Sequence, residues 1–354
     1  MPRAISNFPI FQKNSKPQNA YTKLVTSKQS TLPIIDIRLL YDDNPESWKP
    51  VDQAIGKACE NDGGFLAVGL PAPLKPEPAK LDSLFSFFDL PQPVLDVMGK
   101  REMCPSSSRY MRGYVDRRSG GFAFNEIFDI GPERPVQGPG IEGIELLTET
   151  NVWPSLEPAP NWRAEMIVRF TQMEALGIAI IRAMARFLNV DETAAAARYQ
   201  DSSSSLRLLK YPGHSVDSTI KPEMQEARIQ NGQQHNIIGK EHTDNGGLSL
   251  QWQDQPGLQM KTPAGEWLEL PEKGEGLSVH LGEALETQSS ANFVATPHRV
   301  LGWDKVRHSI VFFLEPNLSS NTNAFSKNST EEAAADNETY AASMINTLRE
   351  TGRA

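Results

Sequence analysis

The sequence predicts an α+β fold, in which a β-sandwich or jelly-roll core is flanked by N-terminal and C-terminal helices. Three observations carry that reading. From Leu206 onward, short apolar runs follow at brief intervals: "LRLLKY", "LSLQWQ", "LQMKT", "EWLELP", "GLSVHLG", "ATPHRVLGW" and "RHSIVFFLEP", joined by Gly, Pro, Asp and Asn turns. Many short strands with regular punctuation indicate a sandwich or jelly roll. Ahead of them a long helix starts near Trp162, with Met166, Phe170, Met173, Ile180, Met184 and Phe187 along one side. Behind them, residues from about Glu338 to Glu350 form a final helical stretch.

The chain's 354 residues suit about two domains, or one barrel or sandwich with helical additions, and 39% hydrophobic residues suffice for a sizeable core. The organisation expected is an arm over residues 1–30, a mixed region over 31–200 packing on the core, the β core over 201–316, and a linker and helix over 317–354, all one integrated unit. "LPIIDI" (Leu32–Ile37) reads as a strand. Val51, Ala54, Ile55 and Ala58 fall on one face of a helix that Asn61 to Gly64 stops, and "FLAVG" is a short buried strand. A second helix carries Leu81, Leu84, Phe85 and Phe88 and is broken by Pro91 and Pro93. "RYMRGYVDRRSGGFAFNEIFDIG" reads as an irregular, aromatic-rich segment, and the polar residues after Pro316 as a surface linker.

Composition narrows the function. A net charge of −9 argues against nucleic acid or an anionic membrane surface as the main partner. Two cysteines, Cys59 and Cys104, make no disulfide framework and suggest a reducing compartment. Met166 to Val190, the most apolar stretch, is interrupted by Arg169, Glu174, Arg182 and Arg186, so it reads as amphipathic and not as a membrane span. The first residues hold no continuous apolar segment long enough for a signal peptide, and the expected location is cytoplasmic.

The chemistry concentrates in "EHTDNGGLSLQW". Two residues apart at the opening of a strand, His242 and Asp244 aim an imidazole and a carboxylate at one spot, a natural metal-binding edge. Taken alone, the pair also fits a strand end with its polar groups in solvent. His298, in "ATPHRV", is the candidate third ligand, because jelly-roll strands return to the same mouth. Two histidines and one carboxylate on one face leave coordination positions open, which suits Fe(II) better than a closed tetrahedral zinc site. Arg307 and Ser309 lie on one side of the next apolar strand, where a planar charged fork beside a hydroxyl suits a carboxylate. A structural salt bridge is the alternative for the arginine.

H-T-D at 242–244, "TPHRV" at 296–300 and "RHSIVFF" at 307–313 together resemble the Fe(II)- and 2-oxoglutarate-dependent dioxygenases of the isopenicillin N synthase-like family. "ACENDGGFLAVG", "RGYV" with "EIFDIG", "LRLLKYP" and "VHLGEALE" extend the likeness over roughly Leu32 to Glu350. The resemblance implies a double-stranded β-helix holding Fe(II) through His242, Asp244 and His298. It implies 2-oxoglutarate as co-substrate, its far carboxylate held by Arg307 and Ser309 with Tyr211 as a third contact, O2 as oxidant and ascorbate as a candidate reductant. The implied reaction is hydroxylation, desaturation or ring chemistry on a small organic molecule of specialised metabolism, with release of succinate and CO2. Nucleic acid and membrane are not implied as partners, and the oligomeric state stays open.

The chain departs from the family's pattern in places. Leu209 stands where Asn is frequent two residues before the Tyr-Pro tyrosine, and His280 and Glu283 replace the Asn and Asp of "NLGD". His280 reads as a core histidine, and Asn245 as a residue facing either the substrate or a turn. The segment from Pro212 to His242 is longer than usual, with a helical stretch expected near Lys221 to Ile229, and reads as a cover over the pocket. Two other readings remain: an iron oxidase of the same fold that does without 2-oxoglutarate, and a catalytically silent metal-binding relative.

Overall fold

The computed structural model describes residues 32–118, 123–213, 227–230, 233–270, 276–325 and 338–350, with 227–230 and 233–234 as backbone only. The chain runs through β1 (Ile34–Asp36), α1 (Trp48–Asp62), β2 (Gly64–Val68), α2 (Pro78–Phe85), α3 (Gln92–Val97), β3 (Gly113–Asp116), β4 (Glu126–Ile130), α4 (Trp162–Phe187) and α5 (Glu192–Ala197). It continues through β5 (Ser205–Tyr211), β6 (Ala227–Gln230), β7 (Gln233–His242), β8 (Leu248–Gln253), β9 (Leu258–Lys261), β10 (Trp267–Glu269) and β11 (Leu277–Leu281). Last come α6 (Glu283–Gln288), β12 (His298–Leu301), β13 (Arg307–Leu314) and α7 (Tyr340–Glu350). No helix among the described residues is long and apolar enough to cross a membrane.

Two sheets make the core, an α+β jelly roll. The larger has the strand order β1-β2-β11-β8-β13-β5-β4-β3 and the smaller β10-β9-β12-β7-β6. Side-chain alternation splits the larger sheet into two faces. Leu206 and Leu208 of β5, and Ile310, Phe312 and Leu314 of β13, join the helices in the main apolar cluster. Leu209, Tyr211 and Val311 point the other way, onto Ile238, Met260 and Val300 of the smaller sheet. By the same parity Arg207, Arg307 and Ser309 enter the space between the sheets, and that parity is what positions the site.

The outer face is covered by α4, whose Phe170 meets Phe312 edge-on at 5.2 Å. Met166, Met173, Ile180 and Met184 of its stripe are fully buried, each contributing about 1.5–3 kcal/mol. At the helix start the buried Trp162 donates its indole N–H to the Leu84 carbonyl at 2.9 Å. Phe87 stacks on Phe128 at 4.2 Å and on Trp162 at 5.5 Å, which fixes β4 from behind. Helix α1 crosses α4 closely at Gly56, where a β-carbon would meet the Phe187 ring at 2.1 Å. Its face toward the core is Val51, Asp52, Ile55, Gly56, Ala58 and Cys59, while Ala54 is exposed, which corrects the expected stripe. Asp52 is buried because Arg186 clamps it with two bonds of 2.7 and 2.8 Å.

Three local expectations need correction. The "RYMRGYVDRRSGGFAFNEIFDIG" segment is not irregular throughout: β3 and β4 within it pair antiparallel, and β4 pairs with β5. Both faces of β4 are buried, so the alternation that marks a half-buried strand is absent. Pro93, expected only to break a helix, sits in the first turn of α3, where its missing N–H would have had no helical partner. The expected helix near Lys221 to Ile229 is a strand at 227–229, paired through β6 with β7; its earlier part, like residues 214–226 and 231–232 of the expected cover, lies outside the described residues, and 233–242 of that cover is strand β7.

Candidate metal centre

His242 and His298 face each other across neighbouring strands, with His298 opposite His242 in the pairing of β12 with β7. Asp244 does not open a strand as expected. It sits in the turn after β7, which the start of α6 holds through bonds from the Glu283 N–H to the Asp244 carbonyl at 2.8 Å and from the Ala284 N–H to the Asn245 carbonyl at 3.1 Å. A side chain on Gly282 would collide with the Gly246 carbonyl at 2.1 Å, so the "HLGE" glycine is what lets the two loops touch. One atom from each of His242, Asp244 and His298 lies within 4.8 Å of the others.

The hydrogen bonds select which atoms converge. His242 Nδ1 donates to the Lys240 carbonyl at 2.7 Å and His298 Nδ1 to the Thr296 carbonyl at 3.1 Å. A carbonyl only accepts, so in the neutral rings both Nε2 atoms carry lone pairs, and each lies 3.8 Å from Asp244 Oδ1. The other carboxylate oxygen is occupied: Asp244 Oδ2 accepts from Ser249 Oγ and from His280 Nε2, the latter at 3.2 Å. Burial alone would raise the Asp244 carboxyl, but the imidazoles of His298, His280 and His242 outweigh it and hold the group ionised. Burial pushes both His242 and His298 below the usual imidazole range. Two neutral imidazoles and one carboxylate, each with its second atom tied, are a fitting donor set for Fe(II).

Arg307 lies between the sheets, 2% exposed. It stands opposite Tyr211 in the pairing of β13 with β5, and its guanidinium covers the Tyr211 ring at 5.0 Å. Nη2 donates to Gln253 Oε1 at 2.6 Å, while Nε and Nη1 are buried without a hydrogen-bond partner among the described residues. Among the described residues no carboxylate forms an ion pair with this arginine. Ser309 Oγ accepts from Gln251 Nε2 at 2.9 Å and donates to the Trp252 carbonyl at 2.9 Å. A buried cation with unspent donors calls for an anion, and a carboxylate satisfies two parallel N–H groups at once.

Sequence reasoning missed a third group. On the inner face of β5, four residues before Tyr211, Arg207 makes a two-pronged pair with Asp129, Nε to Oδ1 at 2.7 Å and Nη2 to Oδ2 at 3.0 Å. The buried Lys100 donates to the same Asp129 Oδ2. The Arg207 guanidinium covers the Phe313 ring at 5.1 Å and acts electrostatically on both His242 and Asp244. His280, expected as a core histidine, is buried but touches Asp244, and Ser249 is its cross-strand neighbour in the pairing of β11 with β8. Asn245 is exposed in the turn. A cavity of about 700 Å³ lies between α2 and Lys210, Trp252 and His308, with Gln253, the partner of Arg307, also in its lining.

Residues 202–316 match the family model of the 2OG-Fe(II) oxygenase superfamily, and residues 32–156 match that of the non-haem dioxygenase in morphine synthesis N-terminal region. The 2-oxoglutarate-dependent dioxygenase traH of Penicillium crustosum is 24% identical over 292 residues, covering 78% of this chain and 82% of that protein. The isopenicillin N synthase of Hapsidospora chrysogena is 26% identical over 317 residues, covering 87% of this chain and 90% of that one. Among solved structures, a full-length Neurospora crassa protein in complex with alpha-KG and thymine superposes with a TM-score of 0.69 at 23% identity, covering 92% of this chain and 98% of that one, a likeness of fold.

Proposed function

The chain belongs to the 2OG-Fe(II) oxygenase superfamily and is an Fe(II)- and 2-oxoglutarate-dependent dioxygenase, and on that premise we propose that His242, Asp244 and His298 hold the iron and that Arg307, Ser309 and Tyr211 receive the far carboxylate of 2-oxoglutarate. The observation that carries the reading is the buried Arg307, 2% exposed, whose Nε and Nη1 have no hydrogen-bond partner among the described residues. Iron bound there would supply the oxygen-dependent decarboxylation of 2-oxoglutarate to succinate and CO2, coupled to oxidation of a C–H bond in a small organic molecule.

The chain's own residues perform the rest. The carbonyls of Lys240 and Thr296 hold the two imidazoles in the tautomer that presents Nε2. Ser249 and His280 occupy Asp244 Oδ2, so Asp244 would hold a metal through Oδ1. Arg307 would take the far carboxylate of the co-substrate, and the apolar residues Leu209, Val311 and Val300 pack together between the sheets. We read the substrate as a metabolite of specialised metabolism.

The test is direct. Purified protein with Fe(II) and oxygen should convert 2-oxoglutarate to succinate slowly, and faster with an accepted substrate from a metabolite library. Oxidation of a substrate without consumption of 2-oxoglutarate would instead assign Arg307 to a carboxylate of the substrate itself.

A further inference from the structure

The inner face of β5 carries two arginine-related sites, and only one is explained by the co-substrate. Tyr211 marks the Arg307 clamp, and Arg207 lies two inward positions further along, about 13 Å away at strand rise. Its guanidinium covers Phe313, whose cross-strand neighbour Ser249 bonds Asp244, which places it at the metal end of the space between the sheets. Within its cluster, Arg207 and Lys100 are two cations against one carboxylate, Asp129, which is 1% exposed in its side chain. The nearby Arg117 is neutralised by Glu102 at 2.6 Å and so does not change this balance. The direct ion pairs of the cluster thus leave one positive charge over, and Asp244, which attracts Arg207 without an ion pair to it, is the carboxylate assigned to the metal.

That charge is reachable. The Lys100 side chain is 5% exposed, but that of Arg207 is 26% exposed, although it points between two sheets. Asp129 takes Nε and Nη2, and Phe313 covers one face of the plane, so the guanidinium is held rigidly. Nη1 is left with no hydrogen bond among the described residues. A preorganised fork end of this kind, with surplus charge in a partly desolvated place, favours an anionic oxygen.

Resting on the reading of His242, Asp244 and His298 as the metal site, we propose that Arg207 anchors the substrate and that the substrate is a small organic acid whose carboxylate meets Nη1. Lys100 and Asp129 set the position and charge of that anchor, and Phe313 gives the adjoining wall an aromatic surface for the carbon skeleton.

The experiment compares aromatic and aliphatic monocarboxylic acids with their own methyl esters. Binding is read as the shift in thermal midpoint of the protein with Fe(II) and 2-oxoglutarate under anaerobic conditions, and turnover as succinate released above the substrate-free rate. For the best binders, acids should bind at least about tenfold more tightly than their esters, as expected for one charge-assisted hydrogen bond. Arg207→Gln should erase that preference and Arg207→Lys should restore part of it. Esters binding as well as acids in the unaltered protein, or a preference that persists in Arg207→Gln, overturns the proposal. If Arg207→Gln does not fold, the acid–ester comparison in the unaltered protein decides alone. Because the binding arm requires no turnover, loss of the proposal is distinguishable from failure of the metal-site reading, which would show as absent succinate formation in every sample.

Discussion

Replacing Arg307 by Lys keeps the charge and removes the fork, and the structure sets the size of the effect. Of the guanidinium's donors, one on Nη2 is spent on Gln253 Oε1 at 2.6 Å, and Nε and Nη1 are buried and unspent. A carboxylate arriving there can take two parallel N–H bonds along one edge, from the second hydrogen of Nη2 together with Nε or Nη1. The shorter-reaching lysine ammonium has one nitrogen, which cannot bond Gln253 and both carboxylate oxygens in the same geometry. At least one charge-assisted bond is lost, about 1.5–3 kcal/mol, or roughly a 10- to 150-fold weaker affinity. The assay is the apparent KM for 2-oxoglutarate from succinate release, together with anaerobic calorimetric titration of the Fe(II) protein. Ser309→Ala should act in the same direction but less, because the hydroxyl is already committed to Gln251 and Trp252. A KM and a Kd for Arg307→Lys within twofold of the parent would refute the assignment of this fork to the co-substrate.

Alanine at His242, Asp244 or His298 should each reduce tightly bound iron to background while the far-UV circular dichroism stays as in the parent; full iron content in any one variant removes that residue from the ligand set. Ser249→Ala and His280→Phe free Asp244 Oδ2, and iron affinity should fall by roughly tenfold, the lower end for groups that orient a metal ligand; His280→Gln, which retains an N–H donor, should recover part of it in the same iron titration. Burial pushes the Glu315 carboxyl from 4.5 up to about 7, against the opposing bond from the Tyr340 hydroxyl. Between those two values the unfolded chain releases a proton that the folded chain keeps, so stability falls as pH rises through that window. Glu315→Gln should therefore flatten the plot of Tm against pH there, and an unchanged slope would rule out this origin.

Much of the site was legible because it obeys short-range rules. His-x-Asp, Arg-x-Ser and the Tyr-Pro tyrosine each lie within a few residues, and the match to a known family's pattern joined them across the chain. What escaped depends on pairing between distant segments. Ser249 and His280 meet Asp244 only because β8 and β11 are neighbours, and no local pattern records that. Arg207 was within reach: counting back by twos from Tyr211 through Leu209 arrives at it, but a strand read simply as apolar hides its single charged inward residue. The fold divides likewise. Helix α4 announces itself by a long apolar stripe, whereas β3 and β4 are short, buried strands separated by a glycine-rich break, and tertiary pairing with β5 decides their state.

The strand order of the larger sheet also constrains how the chain is made. The apolar strand β2, "GFLAV", ends up between β1 and β11, with Ala67 opposite Leu277, a partner 210 positions later. At ribosomal rates of about 5–20 residues per second, that edge waits roughly 10–40 s for its neighbour. During that interval it has only the three-residue β1 on one side and α1 against one face. An unpaired apolar edge invites the wrong strand. The nascent chain is thus exposed to misassembly for most of its synthesis, and a fragment ending before β11 would keep that edge open indefinitely.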